Sequence, residues 1–308
     1  MGGVHCVAAL TLPIVLMLAA GAAHAHGPDG AGAAHWWRWN LEPWLLALLA
    51  AAAAFYARGV WRLWSGAGMS RGISRGSACA FAAGWTVLVL ALVSPLDALG
   101  SLLFSAHMVQ HEILMVVAAP LLVLGRPLAA WTWAFGDAGR HRIGRIVRTR
   151  WLARPWALLT NPLAAWALHA VVLWAWHVPP WFAAAVEHEG VHVLQHATFL
   201  ASALLFWWTT LGTDPRAART SGRAMASLFT TMLHTAALGA LLSLAPAPWY
   251  APYVGSSAAL GFDPLEDQQL GGLVMWVPAG MAYVIAALFL LARLLRTAPE
   301  QAPRGPLR

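Results

Sequence analysis

Seven apolar stretches, at residues 41–64, 77–96, 99–124, 161–181, 187–211, 224–246 and 269–293, constrain this chain more than any other feature. Each is long enough to cross a hydrocarbon core, which takes about 20 helical residues at 1.5 Å each. Inside lipid the backbone must satisfy its own hydrogen bonds, so runs of this length read as helices. The expected fold is all-α, a bundle of seven transmembrane helices. Composition agrees, with 60% of residues hydrophobic and only 10% charged, against roughly 25% charged in ordinary soluble domains.

The basic residues orient the bundle. All 19 are arginines, and eighteen of them fall on one side of a seven-helix arrangement. Arg58, Arg62, Arg71 and Arg75 follow the first span, and seven arginines from Arg126 to Arg154 follow the third. Arg216, Arg219 and Arg223 follow the fifth, and Arg293, Arg296, Arg304 and Arg308 follow the seventh. The positive-inside rule makes that side cytoplasmic, with the N-terminus outside and the C-terminus inside. Asp97, Glu187, Glu189, Asp263, Glu266 and Asp267 fall on the opposite side. The formal charge of +7 therefore reads as topology in a lipid bilayer and not as a nucleic-acid surface. Trp36, Trp37, Trp39, Trp61, Trp64, Trp249, Tyr250 and Tyr253 gather near span ends as an interfacial aromatic belt.

Residues 1–25 read as an export signal, LTLPIVLMLAAGAA followed by the small-x-small Ala23-His24-Ala25. The preceding MGGVHC carries no basic residue, so an uncleaved first helix is the alternative. Residues 26–40 read as a flexible exported segment, 41–297 as the membrane domain and 298–308 as a cytoplasmic tail. Cys6 and Cys79 form neither a CxxC motif nor a disulfide framework.

Within this frame two segments repeat one pattern, HMVQH at 107–111 and HVLQH at 192–196. Residues i, i+3 and i+4 share a helical face. His107, Gln110 and His111 thus make one polar stripe, and His188, His192, Gln195 and His196 another. Counting from Leu99 and Glu187 at the outer ends puts the first histidine pair roughly 12–18 Å deep and the second roughly 7–14 Å. His177 falls at the outer end of the fourth segment, His169 about two turns deeper, and His234 near the middle of the sixth. Only His141 falls in a cytoplasmic loop. Polar groups in hydrocarbon are costly and face the bundle interior or a functional cavity. Each histidine is either an interhelical hydrogen-bonding residue or a ligand.

Two imidazoles at i and i+4 can hold one copper or zinc ion, with Gln110 and Gln195 orienting the rings. Metalloprotease chemistry is excluded, because the pattern lacks the glutamate base of HExxH. Glu112 points about 140° around the helix from His107, as a proton relay or an interhelical bond. Met108, Met115, Met232, Met275 and Met281 are read as packing residues and not as soft copper ligands.

The blocks HMVQHEILMVVAAPLLVLGRP (107–127), NP (161–162), WHVPPWF (176–182), HVLQHATFLASALLFWW (192–208) and DQQLGGLVMW (267–276) carry a family resemblance. Over roughly residues 35–295 the chain resembles the CtaG-type cytochrome c oxidase assembly factors of caa-type oxidases. That resemblance implies a non-enzymatic factor of the bacterial plasma membrane that works with oxidase subunits, at the step of supplying or inserting copper. The positions matching the family are His107, His111, His177, His192, His196, Asp267 and Gln268. The first five are the candidate ligands. Gln110, Gln195, Glu112, His169, His188, His234, Asp267 and Gln268 are candidates for a supporting shell or rim, with Asp267 equally readable as a helix cap. Two other functions fit the histidines: a cytochrome holding haem between facing helices, and a copper transporter, whose inner-half polar path would rest almost entirely on Glu112 and His234.

Overall fold

The computed structural model describes residues 36–212 and 221–297. The signal-like segment 1–25, most of the 26–40 segment, the 298–308 tail, and Arg216 and Arg219 lie outside the described residues.

The described chain is helical. The principal helices are α1 (Pro43–Ala67), α2 (Arg75–Val93), α3 (Phe104–Leu124), α4 (Pro162–Trp176), α5 (Glu189–Leu211), α6 (Ser221–Ser243) and α7 (Pro264–Thr297). Prolines start several of them, as expected where a missing N–H costs nothing. Pro43, Pro162 and Pro264 each open a helix. Ser74 caps α2, its hydroxyl accepting from Ser77 N at 3.0 Å.

Among the described residues six helices are long and apolar enough to cross a membrane. The exception is α4. Its 15 residues rise about 22 Å, short of the roughly 30 Å core. The chain breaks at Asn161, whose Oδ1 accepts from Leu163 N at 3.0 Å and so starts a new helix. The preceding helix, Arg150–Leu159, is bent 73° from α4, and only counting the two as one span gives seven. The expected span at 161–181 is thus shorter than the apolar run, because WHVPPWF turns into a separate helix, Pro179–Glu187.

α3 is the central helix. Of its apolar stretch 61% is buried, against 22–39% for the other five spans. Its two faces feed two cores. Met108, Met115, Ala119 and Val123 pack with α4–α7, while Leu114, Ala118 and Leu122 pack with α1, α2 and the short helix Pro127–Trp133. The coil widens to a π-helical turn over Ile113–Ala118, just before Pro120, which cannot donate to the turn behind it. Trp207 Nε1–H from α5 donates to Met115 O there at 2.8 Å. Met108, Met115 and Met275 are fully buried in the apolar core, as expected of packing residues.

α7 packs closely on both α6 and α3 because glycine lets it. A Cβ on Gly272 would lie 2.6 Å from Gly239 O, and one on Gly271 would lie 2.4 Å from the Phe104 ring. At one end of the bundle the start of α7 meets the start of α3 and the end of α6. The arginine-bearing links meet at the other end, where Arg126 Nη1 donates to Gly72 O and Arg58 Nε to Ala134 O.

Candidate metal centre

The histidine stripes of α3 and α5 face each other. His107 and His192 stand 5.4 Å apart between ring centroids, His107 and His196 5.9 Å, and His111 and His196 5.1 Å. One ligand atom each from His107, His192 and His196 lies within 4.8 Å of the other two. Sequence periodicity put each stripe on one helical face, and packing of α3 against α5 brings the two together.

His107 is oriented on both sides of its ring. Nδ1 lies 3.2 Å from Gly100 O, an acceptor that demands a proton on that nitrogen. The other nitrogen, Nε2, is 3.2 Å from the Gln195 side-chain amide at the position assigned to Oε1. With Nδ1 protonated, the usual way a backbone carbonyl sets a ligand tautomer, the lone pair is left on Nε2, and the Gln195 amide then faces it with its NH2. Tyr253 OH donates to the same Gly100 carbonyl at 2.8 Å. On α5 the Nε2 atoms of His192 and His196 are 3.1 Å apart. Two donors at about 2.05 Å from one ion with that spacing subtend roughly 100°, close to tetrahedral. His107 has then to close by no more than about 1.5 Å to become the third donor.

The remaining candidates divide by position. His111 is 1% exposed, its ring 4.2 Å from that of His107, and neither nitrogen has a partner among the described residues. It adjoins the triad. His177 donates from Nδ1 to Leu173 O at 2.7 Å, its ring 6.2 Å from those of Phe182 and Phe199, and it is not among the three converging donors. His188 is exposed at the break between two helices, so it is not part of the α5 stripe. His169 and His234 belong elsewhere: His169 Nδ1 pairs with Ser202 Oγ at 3.0 Å and stacks on Phe206, while His234 packs beside Trp166.

The supporting groups also sort out. Gln195 touches His107, but Gln110 turns away and donates to Ala91 O and Asp97 Oδ1, both at 2.8 Å. Glu112 is buried with Oε2 unpartnered among the described residues. Asp267 is a cap, although for another helix. Its carboxylate accepts from Phe104 N at 2.8 Å and from Ser105 N at 3.1 Å and Oγ at 2.5 Å, closing the start of α3. Gln268 Oε1 accepts from Trp249 N. His107 therefore sits in the first turn of α3, about 5 Å from its start, because the helix counted from Leu99 is broken ahead of Phe104. The run from Pro95 to Gly100 is a separate short helix, and Leu103 is extended.

Several contributors carried no site signal in the sequence, and Tyr250 and Tyr253, read there as interfacial belt residues, are buried, 2% and 3% exposed. The helix Ala251–Ala259 closes this end, with Tyr250 OH on His177 O at 3.0 Å and Ser256 Oγ on Leu102 O at 2.8 Å. Burial raises the phenol pKa of Tyr250, and burial, with the Asp267 charge next, raises that of Tyr253, so both remain hydroxyl donors. Beside the triad lies a cavity of about 680 Å³, whose wall includes Glu42, Asp97, Glu187, Glu189, His192 and His196.

Over 72% of its length the chain is 28% identical to the uncharacterized protein Mb0105 of Mycobacterium bovis, which it covers to 34%. The uncharacterized protein ML1998 of Mycobacterium leprae matches with the same identity and coverage. The chain thus spans about a third of the length of these relatives. No solved structure matches. Residues 54–297 match the family model of the cytochrome c oxidase caa3 assembly factor, Caa3_CtaG, and with most of its membrane helices inside that match the chain belongs to this family.

Proposed function

We propose that the chain is a non-enzymatic assembly factor for cytochrome c oxidase in the bacterial plasma membrane, carrying copper as cargo for insertion into the oxidase. Convergence of the His107, His192 and His196 donors from two helices carries this reading. Neutral imidazoles are good copper ligands, and three of them leave a coordination position through which the ion can pass to a ligand of an oxidase subunit. The arginine asymmetry sets the centre towards the exported side, with the N-terminus outside and the C-terminus cytoplasmic. His111 adjoins the triad as an alternative donor during loading or release.

Packing favours an ion over haem. The rings of His107, His111, His192 and His196 lie 4.2–5.9 Å apart, and Phe182 and Phe199 pack on His107 and His111. A macrocycle between two axial imidazoles needs a flat slot where these rings stand.

The test replaces His107/His111 and His192/His196 by Asn or Gln and follows membrane abundance, bound copper and oxidase activity together. The expected outcome is near-normal abundance with copper and oxidase activity lost in either variant, the quadruple variant being no worse, as for groups that act as a unit. Normal copper and normal activity in both variants would leave the histidines as scaffold.

A further inference from the structure

The cavity beside the histidines is far larger than an ion requires. Its roughly 680 Å³ has room for about 20 waters at ~30 Å³ each. It lies between the chain ahead of α1, the Pro95–Gly100 helix and the start of α5, with His192 and His196 on its inner wall. Four carboxylates line it, Glu42, Asp97, Glu187 and Glu189, against one guanidinium, Arg38, an excess of three negative formal charges. Asp97 is committed to structure, bonded to Asn40 Nδ2 at 3.0 Å and Gln110 Nε2 at 2.8 Å. Glu187 and Glu189 are exposed, which places them at the mouth. Behind His196 stands His111, buried and with both nitrogens unpartnered among the described residues, so donor capacity continues past the wall.

From this geometry we propose that the cavity is an electronegative vestibule that admits a hydrated metal cation, and rejects anionic metal complexes, on the way to the three-histidine centre. The inference rests on the reading that this centre binds copper. A cleft of one charge sign with apolar walls, here Leu45, Leu92 and Leu200, focuses field lines and raises the local concentration of counter-ions. Glu42, Glu187 and Glu189 supply the field together with Asp97, whose charge its neutral amide partners do not cancel. His192 and His196 take the ion once it sheds water, and the volume accommodates its first hydration shell before that exchange.

The experiment loads the full chain, in discs of zwitterionic lipid, with Cu(II) in a weakly coordinating buffer, and follows tryptophan quenching by stopped flow at low and high ionic strength. The variants are E42Q/E187Q/E189Q and, separately, R38Q. The triple variant is expected to load about tenfold more slowly at low salt, with a flattened salt dependence and unchanged final stoichiometry. R38Q is expected to load faster than the wild type, a sign that lost structure does not produce. Should the triple variant fold poorly, E187Q/E189Q, both exposed, is expected to slow loading about threefold. Copper offered as an anionic citrate complex should load slowly in every form. Unchanged rates in the carboxylate variants, with wild-type protein that loads normally, would overturn the vestibule alone. Wild-type protein that takes up no copper would overturn the copper centre, and the vestibule with it.

Discussion

Replacing Asp267 by alanine removes the group that closes the start of α3 from a different helix. Leu103 occupies the N-cap of α3 and has no side chain able to cap it, so the carboxylate of Asp267, 3% exposed, takes Phe104 N, Ser105 N and Ser105 Oγ. Truncation leaves two backbone N–H groups without an acceptor, at about 1–3 kcal/mol each. Relief of a buried charge offsets part of that, for a net loss of about 3 kcal/mol. D267N keeps one acceptor oxygen and loses about half as much, and S105A loses about 1 kcal/mol. In a chain of this size these losses correspond to melting shifts of roughly 2–4 °C per kcal/mol. The detergent-solubilised D267A protein is therefore expected to melt about 6–12 °C below wild type. His107 is three residues past Phe104, so a frayed first turn also loosens its ring. Copper affinity should fall about 10- to 100-fold, as when an orienting group behind a ligand is lost. Thermal unfolding and copper titration of the three variants measure both effects. A D267A protein with wild-type melting would refute the capping argument, and wild-type copper affinity at lowered melting would refute the link from cap to His107.

Trp207→Phe removes the donor on the Met115 carbonyl in the π turn and is expected to cost about 1–2 kcal/mol, read as a melting shift of a few degrees; no shift would mean that the turn does not rely on this bond. Alkaline phosphatase fused after Arg142 should be inactive and fused after Ser257 active, since the arginine-rich link is expected in the cytoplasm and the Ala251–Ala259 helix outside. The opposite pattern would invert the bundle and put the histidines on the wrong side for an exported copper cargo.

Length and polarity of the apolar runs determined the helical membrane architecture, because a helix across lipid is a local solution to a local problem. The same locality made the i, i+4 histidine stripes legible, since helical pitch alone decides which residues share a face. Pitch says nothing of how one helix is rotated against its neighbour. That rotation comes from side chains meeting across helices, such as Phe104 against the gap at Gly271, and it decided that His107, His192 and His196 converge while His177 stays outside the triad. Breaks in helical runs were equally hidden: the Leu103 extension moved His107 to the first turn of α3, and the helix break at His188 took that residue out of its stripe. The Gly100 carbonyl reaches His107, and Asn40 and Glu42 reach the cavity beside it, from distant or featureless stretches of chain. Only the folded arrangement places them there, because a carbonyl acceptor or a lone glutamate carries no pattern until its partners are beside it.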